Sequence, residues 1–405
     1  MIRQPASVRR AARSFVAIAG LFVASSGALG QAASTIPARL SDAELWRLNA
    51  EFSEPNGYFR SDNFLSNETG FQFVIPELLR SIRPGGVYLG VGPEQNFTYI
   101  VALQPKMAII FDIRRGNMIA HLMYKSLMET SADRAEFLSK LFSRPRPAGL
   151  DSASTVKQLF EAFDAAEPDS ALFRRNLAAI KAHLTRTRGF VMNDSDSKLL
   201  DYTYSAYFGG GPQMTYNYRP GMGMIVGGGG GGFGGRFGGR GFGGGMPSYE
   251  SLQNATDSAG KNWAYLSTEA NFRWLKDFES KNLLVPIVGD FAGPKAIRAV
   301  ADYLKSHHAV VAAFYTSNVE QYLFQQGDEW SRYYKNVATL PLDSTSSFIR
   351  SIGGGRGYYV PARPAAQQAM LGGRLPSVTC SIQDLIKAFN DGKILGYGDV
   401  IAMSR

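Results

Sequence analysis

Asp112 follows Gly92 by 20 positions, and the intervening chain opens with Gly90-Val91-Gly92-Pro93, residues that reverse a backbone sharply. Such a turn lets backbone amides approach a ligand at a helix N-terminus. A carboxylate about 20 residues further on, at the tip of the next strand, accepts both hydroxyls of a ribose. The chemistry this spacing suggests is recognition of a nucleoside-type small molecule, with Gly90, Gly92, Glu94, Gln95, Asn96, Asp112 and Arg114 as the binding set. Asp290 and Tyr315 each follow or end a later apolar run, so they are the candidates for touching a reacting group, although Asp290 could equally cap the next helix. A dinucleotide fingerprint would need a glycine where Gln95 stands. His121, His183, His307 and His308 share no ligand spacing with acids or the lone Cys380, and no metal is expected. No Ser-His-Asp order, zinc signature or phosphate-binding loop is present, which leaves hydrolase and kinase readings without support.

The elements that must position these residues alternate between strand and helix. Val87-Tyr88-Leu89 is short and β-rich, and Met107 to Phe111 is continuously apolar, as a parallel strand covered on both faces should be. Leu283 to Val288 and Ala309 to Phe314 read as further buried strands, with Lys295 to Leu304 as the crossover between them. Val337 to Leu340 and Val400 to Met403 are the best remaining strand candidates. Ser41 opens a helix with the capping box Ser41-Asp42-Ala43-Glu44. The polar string Asn56 to Phe71 precedes the first strand, and Phe71 to Ile82 is expected to be helical. Asn117 to Met128 has apolar residues at helical spacing, Ala135 to Phe142 continues helically until Pro145, and residues 154 to 186 read as two inserted helices. The expected fold is α/β: a doubly wound, mostly parallel, Rossmann-like sheet with a helical insertion and a Gly-rich disordered loop.

Tyr88-Leu89-Gly90-Val91-Gly92-Pro93-Glu94 followed by Asp112 resembles the first two motifs of class I S-adenosylmethionine-dependent methyltransferases. The longer strings GVGPEQNFTYI and IIFDIRRGNMIAHLMYKSL, with PSYESLQNATDSAG and VPIVGDFAGPKAIRAV later, resemble an uncharacterised bacterial family regarded as methyltransferase-like. The resemblance runs from about Leu40 onward, the glycine tract apart. It implies S-adenosylmethionine as cofactor, Asp112 on its ribose, and the Ser61 to Glu68 string as a lid over the pocket. The chain departs from the methyltransferase pattern at Tyr88, where an acid is usual, and at Glu94, where a third glycine is common. Methyl transfer asks mainly for in-line positioning, with a general base only where the nucleophile must lose a proton. The alternative is a non-catalytic ligand-binding or scaffold protein that keeps the fold.

Composition sets the remaining bounds. Of 405 residues, 45% are hydrophobic and 12% aromatic, ample for a packed core. The +9 formal charge is partly carried by Arg3, Arg9, Arg10 and Arg13 and by Arg236 and Arg240, so it does not by itself indicate nucleic acid, and none is expected as a partner. Residues 1–32 have the layout of a signal peptide: basic start, Phe15 to Ala24 apolar, small residues near Ala28 to Ala32. The expectation is an exported protein, periplasmic or secreted, cleaved near residues 30–33 and without a stable membrane span. Gly209 to Gly245 is low in complexity and is expected to be a disordered loop, since glycine at that density buries too little to offset its backbone entropy. Domain organisation is then 1–32 leader, 33–86 helical segment, 87–208 first half-domain, 209–245 loop, and 246–405 second half-domain.

Overall fold

The computed structural model describes residues 33–216, 218–219, 246–352 and 377–405. The leader reading and most of the glycine tract fall outside those residues. The strands are β1 Val87–Val91, β2 Met107–Asp112, β3 Leu284–Val288, β4 Val311–Ser317, β5 Ser347–Ser351 and β6 Ser377–Ser381. They form one sheet in the order β3-β2-β1-β4-β5-β6. The first five are parallel, with Leu89 of β1 beside Ile109 of β2 and Phe314 of β4, and β6 runs antiparallel on the edge of β5.

Every residue of β1, β2 and β3 is buried, which is why they read as apolar runs rather than as alternating ones. Each fully buried Ile or Phe of β2 contributes about 1.5–3 kcal/mol through the apolar area it removes from water. Helices cover both faces. On one lie α3 (Gln95–Leu103), α4 (Arg115–Thr130) and α10 (Glu269–Ser280); on the other α1 (Asp42–Phe52), α11 (Ala296–Ser306) and α13 (Glu329–Val337) pack together. The fold is therefore α/β, doubly wound and Rossmann-like. Chain order reverses between β1 and β4, so the crevice for a ligand lies beyond the C-terminal tips of those two strands.

Between β2 and β3 the chain makes a long helical excursion: α5 (Arg134–Phe142), α6 (Val156–Ala165), α7 (Ser170–Ala182) and α8 (Asp194–Gly210). A buried ion cluster fastens it to α4. Lys125 and Glu129 of α4 pair at 2.8 Å, and Glu129 also meets Arg188 at 2.8 Å and His183 at 2.6 Å. Burial works against the Glu129 charge, but His183, Lys125 and Arg188 hold its pKa down to about 2.

Three sequence expectations are corrected. Val337 is the last residue of α13, and Val400 to Ala402 belong to the helix Tyr397–Ala402, so neither segment is a strand. The last two strands are β5 and β6 instead. Regular structure also continues past the expected start of the loop at Gly209: Gly209 and Gly210 close α8, Gly211–Gln213 form a single turn, and Thr215 bridges Ser248.

Candidate functional site

A cavity of about 230 Å³ opens at the tips of β1 to β4. The turn after β1 forms its floor. Gly92 has φ +79°, a left-handed backbone that only glycine adopts without strain, and a Cβ there would meet nothing. Gly90 has the opposite constraint, because a Cβ would run into the Asn96 carboxamide. That carboxamide holds the turn in shape: Asn96 Nδ2 donates to the carbonyls of Val91 (2.9 Å) and Pro93 (2.7 Å), and Oδ1 accepts from the Tyr88 hydroxyl at 2.8 Å. Tyr88 thus has a structural partner in the turn. From the other side His121 Nε2 donates to the Gly92 carbonyl at 2.8 Å. Burial drives the His121 pKa down to about 4, so the ring is neutral at pH 7.

Asp112 ends β2 in the cavity wall, 4% exposed. Its Oδ1 accepts from the Arg114 backbone N–H at 2.8 Å and from Arg114 Nε at 3.1 Å, and Oδ2 accepts from Nη2 at 3.0 Å. An ionised carboxylate has about four lone-pair sites, so this clamp leaves room for one further donor. Arg114 also reaches the Asp62 carbonyl, which ties the β2 tip to the strap Asn56 to Glu68. The strap is fixed elsewhere by Gly57 N–H to the Ile113 carbonyl at 2.8 Å and by the Tyr207 hydroxyl to the Phe64 carbonyl at 2.7 Å. Its residues Tyr58, Phe59, Asn63 and Leu65 to Glu68 wall the cavity.

The end of the strap carries Glu68, a residue the binding set did not contain. It is 1% exposed yet lines the cavity. Its Oε1 accepts from the Tyr315 hydroxyl at 2.8 Å and from Ser317, and its Oε2 from Gln95 Nε2 at 3.0 Å. Gln95 Nε2 also lies 3.0 Å from the Tyr315 hydroxyl. Ser317 adopts φ +51°, a conformation a non-glycine residue takes only under constraint, and it turns the hydroxyl at the β4 tip onto Glu68. Burial raises the Glu68 pKa above the ordinary carboxylate range, opposed by Ser317, Gln95, Tyr315 and the nearby Ser351.

The expected residues therefore divide. Gly92, Asp112, Arg114, Asp290 and Tyr315 meet around the cavity, and Gln95 touches it through Glu68 and Tyr315. Gly90 and Asn96 shape the turn from behind. Glu94 points away, into a buried cluster with Tyr124, Tyr207, Tyr249 and Tyr265. Asp290 turns back on its own loop, with Oδ1 accepting from Ala292 N–H at 2.9 Å. The N-terminus of α11 beside it is occupied by Glu54, whose carboxylate accepts from the N–H groups of Asp290 (2.7 Å), Lys295 (2.7 Å) and Ala296 (3.1 Å). Among the described residues no cluster of three or more potential ligands could hold a metal, and no helix is long and apolar enough to cross a membrane.

A crevice at the switch point of a doubly wound sheet, lined by a glycine turn and a carboxylate on the second strand, defines a Rossmann-like α/β protein. The chain belongs to the family described as Domain of unknown function (DUF7790), whose model matches residues 63–202 and 247–374. The matched stretches include Glu68, the glycine turn, Asp112, Asp290 and Tyr315. No curated protein matches the chain.

Proposed function

We propose that this is a methyltransferase-like protein whose cavity takes S-adenosylmethionine. The observation that carries the reading is the charge of the wall. Glu68, Asp112, Asp290 and Glu329 line the cavity, while among its described residues Arg114 is the only cation, and that charge is taken by Asp112. Such a wall suits a nucleoside that bears a positive sulfonium. It disfavours a pyrophosphate dinucleotide, for three reasons. Pro93 brings no amide to the turn, Glu54 already occupies the N-terminus of α11, and the surrounding carboxylates share the phosphate's sign. Asp112 keeps one acceptor site for a ribose hydroxyl, and Tyr58, Phe59, Phe291 and Tyr322 supply aromatic surface. Asp290 and Tyr315, which line the same cavity, are the residues this reading assigns to the acceptor side.

Isothermal calorimetry of the full chain with S-adenosylmethionine, S-adenosylhomocysteine and a nicotinamide dinucleotide tests this. Binding of the first two, with the sulfonium form tighter, is expected; tighter binding of the dinucleotide would defeat the reading. One observation favours a second version, a binding protein without turnover: the clamp of Arg114 on Asp112 leaves the ribose little free carboxylate. That version expects binding of the same ligands and no methyl release.

A further inference from the structure

We propose that the methyl acceptor is a small amine, drawn into the cavity as its ammonium, and that Glu68 is the base that removes its proton. This rests on the methyltransferase-like reading above. Glu68 comes from the strap and Tyr315 and Ser317 from the tip of β4, so the carboxylate is held at the switch point by chain 247 residues away. Three of its lone-pair sites are filled, two on Oε1 by Tyr315 and Ser317 and one on Oε2 by Gln95. The buried Ser351 hydroxyl also lies near enough to lower the Glu68 pKa but makes no hydrogen bond of its own, so one site on Oε2 remains for a ligand N–H. Because Gln95 also bonds the Tyr315 hydroxyl, the carboxylate is oriented before any ligand arrives.

The rest of the wall selects the sign of the guest. Asp290 and Glu329 lie close enough that Asp290, after burial, helps raise the Glu329 pKa. The nearby cations do not cancel these acids inside the cavity. Arg114 is spent on Asp112, Arg332 meets Glu329 at 3.3 Å with its side chain half exposed, and Arg60 lies over the Tyr322 ring from an exposed position. A carboxylate or phosphate acceptor would enter a field of its own sign, and an ammonium would be drawn in. Phe59, Phe291 and Tyr322 give its apolar body and its charge aromatic contacts.

The step balances. The ammonium gives one proton to the Glu68 carboxylate and becomes a neutral amine. Its nitrogen lone pair then forms a bond to the methyl carbon as the carbon–sulfur bond breaks, with that electron pair going to sulfur. The products are an N-methylammonium, a neutral thioether and protonated Glu68, which returns its proton to solvent. A carboxyl whose pKa burial has raised is the stronger base for this transfer.

Three probes of one shape and different charge test it by calorimetry on the full chain at pH 7: benzylamine, benzyl alcohol and benzoate. Benzylamine, present as its cation, is expected to bind roughly tenfold or more tighter than the alcohol, the size of one charge-assisted hydrogen bond, with benzoate weakest. Glu68→Gln should lower the affinity for the amine by about that factor and leave the alcohol unchanged, whereas Glu329→Gln should weaken amine binding less. Equal or tighter binding of the alcohol or benzoate would overturn the proposal, as would an amine-to-alcohol ratio that Glu68→Gln does not alter. If Glu68→Gln does not fold, the wild-type order of the three probes still decides. Amine binding without any binding of S-adenosylmethionine would remove the methyl donor and the role of Glu68 as base, while leaving the ammonium site.

Discussion

Glu94 is the side chain that the surrounding structure treats most harshly. It is 1% exposed, its Oε2 has no hydrogen-bond partner, and burial among Tyr124, Tyr207, Tyr249 and Tyr265 pushes its pKa up to about 8. Because the folded value lies above the ordinary 4.5, the folded state holds a proton that the unfolded state has released between those pH values. The stability tied to that proton is fully present below pH 4.5 and is lost as pH rises through about 8, at about 1.4 kcal/mol per pH unit. Glu94→Gln should therefore flatten the fall in melting temperature between pH 5 and pH 8; an unchanged slope would show that Glu94 is solvated. His121 acts in the opposite sense, since its value is lowered to about 4: its contribution is present above pH 6.5 and is lost as pH falls. At the cavity, Asp112→Asn keeps the shape and removes the charge, and S-adenosylmethionine should then bind about tenfold to a hundredfold more weakly, the size of a charge-assisted hydrogen bond of about 1.5–3 kcal/mol. Calorimetry on the variant reads this directly. The placement of Asp112 and Gly92 at the strand tips was legible because it follows from local spacing. Glu94, only two residues past Gly92, shows the limit of spacing: the turn fixes its backbone, but the tyrosines that enclose its side chain come from α4, α8 and the segment after the glycine tract.

Among the elements, those whose pattern was complete within their own sequence could be read. The capping box of α1 is formed as expected, with the Glu44 carboxylate 2.9 Å from the Ser41 N–H, and β2 ends one residue past its apolar run, at Asp112. The strand β5 was hidden because its residues Ser347-Phe348-Ile349-Arg350-Ser351 are not an apolar run. Arg350 is buried there only because Glu320, from the short helix Val319–Leu323, takes its charge. Conversely, Val337 and Val400 face the core as parts of helices whose other turns are polar, and a window of four residues cannot distinguish that from a strand. Glu54 was equally invisible, since its partners lie more than 230 residues away on the loop before α11. Its carboxylate satisfies two backbone N–H groups at the start of α11 and a third on the loop before it, so Glu54→Ala should cost about 1–2 kcal/mol, as the loss of an N-terminal cap does. Thermal unfolding would show this as a lowered melting temperature. Gly293→Ala should be damaging by the same logic, because a Cβ there would lie 2.5 Å from the Glu54 carboxylate.

At the scale of the whole molecule, the structure of the residues flanking the glycine tract makes a prediction that composition alone could not sharpen. Composition placed the boundary at Gly209, but α8 runs through Gly210, Met214 is fully buried, and Thr215 is bridged to Ser248. The two ends of the tract are therefore already brought together by the fold, and the family model likewise leaves out residues 203–246 between its matched stretches. Tyr216, at the near end, lines the cavity, so an excision at the Gly209 boundary would remove a wall residue as well as the tract. Excision of residues 220–245 with a short Gly-Ser linker spares it. If the tract is the flexible loop its composition suggests, the chain-entropy cost it adds grows only slowly with length, about 0.6 kcal/mol per doubling, so its removal should leave the melting temperature within a few degrees or raise it slightly. Ligand affinity should be unchanged. A fall of ten degrees or more would show that the tract packs on the body of the fold; loss of ligand affinity at unchanged melting temperature would place it at the cavity.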